Sequence, residues 1–191
     1  MRTIKKVASH IFIDGFGGMT QGLFATLIIG TMIQQIGLLI GGSTGNVIYL
    51  LGKAAAALTS AGIGVGVAVK YGESPLVTVS AAVAAMVGGY AGKITGGTPG
   101  EPLGAFIAAF AGITCGHLVS GKTKVDIIVT PVITIGAGSV VGLLVGPPIS
   151  QMMTGLGSII NWATEQRPFI MRIVVPVVMG MVLTLPIRTY T

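Results

Sequence analysis

Two long stretches of this chain, 15–52 and 127–164, carry no charged residue at all. Crossing about 30 Å of hydrocarbon takes roughly 20 apolar residues, and each stretch is long enough to do so. Shorter apolar runs, separated by single or paired charges, fill the space between them. Composition sharpens the point. The chain has 191 residues, of which 52% are hydrophobic and 8% charged, and its mean hydropathy is +0.91. A soluble domain carries about 25% charged residues, so this chain could not clothe a water-facing surface. Disorder is excluded because disordered segments are poor in hydrophobics. A disulfide scaffold is excluded by the single Cys115. The expectation is an all-α, polytopic transmembrane helix bundle embedded in the lipid bilayer. The net charge of +6 does not imply a nucleic-acid partner, because the basic residues sit singly or in pairs between apolar runs.

The apolar runs predict spans over about 19–41, 47–69, 75–92, 103–121 and 127–146, the last stopped by Pro147 and Pro148. A final apolar segment covers about 169–187. Residues 149–164 are amphipathic, with Met152, Leu156 and Ile160 on one side and Gln151, Thr154 and Asn161 on the other. They either lie in the interface or cross it, and the count is therefore six to seven spans. The first apolar run is too long for a signal peptide, so the N-terminus is expected to be retained. Residues 1–14 form a separate element. Ile4, Val7, Ala8, Ile11 and Phe12 share one helical face, while Arg2, Lys5, Lys6, Ser9 and His10 occupy the others. They read as a basic amphipathic helix on the interface, or as a simple topogenic charge cluster. Residues 15–191 form the transmembrane domain. Placing the N-terminus in the cytoplasm puts 70–74 and 122–126 inside with it, as the bias of Lys and Arg requires.

Gly-xxx-Gly pairs occur at 18/22, 37/41, 62/66, 88/92, 112/116 and 138/142. Lipid tails are as apolar as Leu, so helices in a bilayer associate through close backbone contact, which small residues permit. A faint repeat at an offset of 27 aligns Pro75 with Pro102 and Ala81 with Ala108. In a chain this rich in Ala and Gly, apolar composition alone produces such matches.

Gly116 to Thr123 fits the pattern G-x-x-x-x-G-K-[ST]. A phosphate loop needs a strand before it and a helix after it, whereas Gly116 falls in the last turns of an apolar span. The match is read as accidental. No catalytic constellation, metal-ligand spacing or cofactor site appears elsewhere. Polar residues at membrane depth are the better guide, because burying them is costly without a partner or a site. Lys53 lies about two turns into the second span. It either neutralises an anionic group or snorkels to the interface. Glu101 and Pro102 follow Gly96, Gly97, Thr98, Pro99 and Gly100, a stretch that cannot be continuous helix. It is either re-entrant backbone, with Glu101 accepting sugar hydroxyls, or an exposed loop. Gln21, Gln34 and Gln35 line a polar path or bond between helices. Asp126 reads as a helix-start residue.

The stretches GLFATLIIGT at 22–31, GKTKVDIIVTP at 121–131, GLLVGPPIS at 142–150 and INWATE at 160–165 resemble a bacterial family of phosphotransferase-system sugar permeases. These are IIC-component-like membrane proteins and include PfoR-type regulators. The resemblance covers residues 1 to about 187. It implies phosphoenolpyruvate-dependent sugar import, coupled to phosphorylation by separate IIB and IIA components, from a multi-pass homodimer in the bacterial inner membrane. Other IIC permeases place a Glu-Pro pair near the sugar, and Glu101 and Pro102 are similar in that feature. The candidate substrate-binding residues are therefore Glu101, Pro102, Lys53, Gln21 and Gln34. No residue of this chain is expected to accept the phosphoryl group, so whether it counts as an enzyme is left open. Members continue with further spans, and the chain is expected to be a shortened one. The alternatives are a membrane-embedded PfoR-type sensor that does not transport and, from another class, a small-solute channel.

Overall fold

The computed structural model of the chain describes residues 13–94 and 102–166. The expected N-terminal amphipathic helix, the segment 169–187 and Glu101 lie outside the described residues. Every described element is helical. That follows from the solvent: hydrocarbon offers no hydrogen-bond partner, so each backbone amide must be satisfied within its own segment.

Helix α1 covers Gly15–Ile40 and contains one wide π turn at Phe24–Ile28. Helices α2, Gly42–Ala57, and α3, Thr59–Lys70, form a single descent bent by 51° at Leu58. Helices α4, Pro75–Ile94, and α5, Pro102–Val119, follow. Helix α6 covers Asp126–Gln166, 41 residues. Three of these helices are long and apolar enough to cross a membrane, or four if the bent pair α2–α3 is one span.

The turns come from glycine where the backbone demands it. Gly41 and Gly42 have φ of +66° and +64°, a region costly for side-chained residues, and they reverse the chain between α1 and α2 in two residues. The spans expected at 19–41 and 47–69 leave 42–46 as the connection, but helix α2 already begins at Gly42. Gly72, at φ +68°, closes α3 and lets the Glu73 amide bond to the Ala68 carbonyl at 3.1 Å.

Helix α6 corrects the expected stop at Pro147 and Pro148. It runs through both without turning back, so 149–164 is its continuation and not a separate span. Each proline removes one backbone donor, and a helix held by neighbours tolerates that loss. Gly146, just before them, packs on Ala91 of α4. At 1.5 Å per residue the helix measures about 60 Å, twice a bilayer's hydrocarbon thickness.

Packing is by small residues. Helices α4 and α6 run parallel, with Gly138 against Ala84, Gly142 against Gly88 and Gly146 against Ala91. Helix α5 runs antiparallel to both, pairing Gly104 with Gly88 and Gly112 with Gly138. Each glycine in a helix costs about 1 kcal/mol relative to alanine. What offsets it is the backbone-to-backbone approach that a side chain would prevent. Helix α1 pairs Gly18 and Gly22 with Gly66 and Gly62 of α3, then Gly30 and Gly37 with Gly52 and Gly45 of α2. Around Ile63, Val67, Val77, Phe106 and Ile113 a buried apolar cluster joins α3, α4 and α5, and Met19 ties α1 to it.

Candidate functional site

The bend at Leu58 opens a cavity of about 270 Å³, lined by Leu27, Ala56, Ala57, Thr59, Ser60, Tyr90 and Pro102. Small-molecule sites start at about 300 Å³, so this one suits a small ligand. Its walls come from five elements. The π turn of α1 supplies Leu27, and the end of α2 supplies Ala56 and Ala57. The start of α3 supplies Thr59 and Ser60, α4 supplies Tyr90, and α5 begins at Pro102.

The break has a local cause. Leu58 sits at φ −86° and ψ 10°, outside the helical well. The Thr59 hydroxyl donates to the Ala56 carbonyl at 2.6 Å, satisfying an acceptor that the break releases. Ser60 is 3% exposed and packs against Gly89 of α4. The first amides of α3 have no partner one turn earlier and carry the positive end of its dipole. The cavity thus combines an apolar wall, three hydroxyl side chains and a helix start. That set can hold a small polyhydroxy ligand by hydrogen bonds, and among the described residues the lining holds no carboxylate, imidazole or amine.

Of the residues singled out from sequence, Pro102 lines this cavity. Lys53 and Gln21 are exposed, on α2 and α1, and neither belongs to the lining. Gln34 is half-buried, with its Cγ against Gly52, so it packs between α1 and α2. Gln35 is exposed. Thr59, Ser60 and Tyr90 were missed. Two adjacent hydroxyl residues after the run Ala54 to Ala57 were the available signal, since Ser and Thr favour helix starts over helix interiors.

About 18 Å along α3 from the cavity, at the other end of the helix, lies a polar cluster. Glu73 meets His117 Nδ1 at 3.0 Å. The hydroxyls of Ser74 and Ser120 are 3.1 Å apart. Asp126 Oδ1 accepts the Gly121 amide at 3.0 Å and the Thr130 hydroxyl at 2.6 Å, so it fastens the α5–α6 turn to the start of α6. Burial pushes the Tyr71 hydroxyl above the ordinary tyrosine range, and the nearby charge of Asp14 adds to the shift. The turns at 71–74 and 120–125 and the start of α1 therefore share one end of the bundle. Gly116 of the phosphate-loop pattern lies inside α5 against Thr134, with no strand before it.

No curated protein and no solved structure matches the chain. One family does, over residues 13–191, and its description is "Phosphotransferase system, EIIC". With apolar helices packed through glycine and a match across nearly the whole chain, this membrane protein belongs to the phosphotransferase-system EIIC family.

Proposed function

We propose that the chain acts as the membrane permease component of a phosphoenolpyruvate-dependent phosphotransferase system. It binds a sugar in the cavity at Leu58 and releases it to a IIB component that phosphorylates it. The observation that carries this reading is the position of Pro102. It lines a hydroxyl-bearing cavity at a broken helix, and Glu101 precedes it directly. Discontinuous helices are where transporters place their substrates. Glu101 would accept sugar hydroxyls, with Ser60 and Tyr90 adding neutral hydrogen bonds. Lys53, Gln21 and Gln34 would act on the path to the cavity.

In this reading the segment 169–187 adds a sixth span, and the N-terminus faces the cytoplasm of a bacterial cell. Lys70, Lys122 and Lys124 then lie inside, as the positive-inside rule favours. The IIB component, itself charged by IIA, approaches that end, and two copies of the chain form a homodimer.

The test is uptake and phosphorylation of a labelled sugar panel in cells with and without the gene. A charge-assisted hydrogen bond contributes about 1.5–3 kcal/mol, so Glu101→Gln should weaken sugar affinity roughly 10- to 150-fold. Unchanged affinity with intact membrane insertion would remove Glu101 from the site. Sugar binding without uptake or phosphorylation would favour a PfoR-type sensor.

A further inference from the structure

We infer that residues 29–57, the outer part of α1 and all of α2, form a two-helix arm that swings about a hinge at Phe24–Ile28 and Leu58 and thereby opens and closes the cavity. Its functional meaning rests on the sugar reading above, but its test does not.

Two independent features converge on this hinge. The first is the placement of two helix irregularities at one level. The π turn of α1 and the 51° break of α2–α3 lie side by side, for Leu27 and Ala57 line the same cavity and Thr26 packs against Gly62. A π turn weakens the regular hydrogen-bond ladder and often marks a functional site.

The second is partnership. Below the hinge, α1 packs on α3 and reaches α5, where the Phe16 and Phe106 rings lie 5.0 Å apart. Above it, α1 and α2 pack on each other, and among the described residues neither rests on α4, α5 or α6. Leu38, Leu39, Leu51 and Met32 are all exposed, Leu39 by 87%. Where lipid covers those side chains, they meet acyl chains in either position of the arm. A swing therefore exposes no apolar surface to water and costs little in burial. The cavity is what changes. Ala56 and Ala57 move with the arm, while Thr59, Ser60, Tyr90 and Pro102 stay on the bundle.

The experiment measures spin-label distances in lipid nanodiscs, in the full chain carrying Cys115→Ala. One pair, Leu39→Cys with Lys93→Cys, reports the arm against α4. A reference pair, Val79→Cys with Val132→Cys, reports α4 against α6. All four positions are exposed. The arm from Ile29 to Ile40 is about 18 Å long, so each 10° of rotation moves its tip by about 3 Å. Ala57→Trp should wedge the cavity and shift the Leu39–Lys93 distance by about 3 Å or more. Tyr90→Ala should empty the cavity and shift it in the opposite sense. The reference distance should hold in both. An unmoved arm pair, shifts of the same sense in the two variants, or a reference pair that moves with the arm would overturn the inference. If Ala57→Trp does not insert, Tyr90→Ala decides alone. No sugar is added, so a failed uptake assay and a rigid arm are separate outcomes.

Discussion

The arm at 29–57 and the bundle of α4, α5 and α6 are built from the same contact and differ in how many neighbours share it. In the arm, Gly30 and Gly37 lie against α2, and the outward faces are exposed Leu, Ile and Met. In the bundle, Gly88 touches both α5 and α6, and Gly138 touches both α4 and α5. A glycine between two helices holds one interface. A glycine among three holds the whole packing, because no side chain can yield without disturbing two partners at once. Small-residue content alone does not tell a rigid core from a mobile pair.

The comparison is most exposed at Gly138. A Cβ there would come within 2.6 Å of both the Ala108 carbonyl oxygen and the Ala84 Cβ. Overpacking costs about 1–3 kcal/mol where side chains can shift, and here one neighbour is backbone. Gly138→Val should therefore cost about 3 kcal/mol or more. The measurement is denaturant unfolding in micelles. A loss under about 1 kcal/mol would mean that the three-helix packing is loose.

Gly30→Val probes the arm. Its Cβ would lie 2.8 Å from the Ala56 amide nitrogen and 2.9 Å from the Gly52 carbonyl oxygen. The expected cost is about 1–2 kcal/mol, confined to 29–57. Hydrogen exchange should speed up in that segment by roughly tenfold, since tenfold corresponds to about 1.4 kcal/mol. Amides of α4 to α6 should not change. Faster exchange across the bundle would merge the two regions into one.

The smallest effect is expected at the base of α1. The folded chain holds the Tyr71 proton more tightly than the unfolded chain does, because burial and Asp14 both disfavour the phenolate. Stability is thus intact below about pH 10 and falls as pH rises through the folded value. Tyr71→Phe should remove this alkaline loss while leaving the stability of the arm at neutral pH unchanged. A pH profile identical in the two proteins would show that Tyr71 is solvated in the folded chain.

The helices were legible because charges and turn glycines punctuate apolar runs. The stretch 15–52 yields α1 and the glycine turn at 41–42. Of the Gly-xxx-Gly pairs, 18/22, 62/66, 112/116 and 138/142 all lie at interhelical contacts. Gly41 of the 37/41 pair does not, since it forms the turn. The break at Leu58 was hidden because no Pro or Gly marks it. Four alanines, all good helix formers, lead into it, and it is held by Thr59 and by tertiary packing. The continuity of α6 was hidden for the opposite reason. Pro147 and Pro148 are breakers in isolation, whereas in the fold Gly146 packs on Ala91 and Ile149 and Ser150 are buried just past them. The cavity could not be read from sequence, because Leu27, Ser60 and Tyr90 are brought together by the bend alone.

The parallel contact of α4 with α6 also sets an order of events during synthesis. Gly88 and Gly142 are 54 positions apart in the chain. At about 5–20 residues per second, Gly88 waits roughly 3–11 s for its partner to leave the ribosome. Helix α5 is itself made during that interval, and from its end at Val119 onward the α4–α5 hairpin sits in the membrane with one notch of bare backbone uncovered. The arm has no such delay, since Gly30 meets Gly52 after only 22 more residues. Any insertion chaperone that attends this protein has its longest task at the α4–α5 hairpin, and a stalled ribosome between residues 120 and 140 would leave that notch open to neighbouring helices.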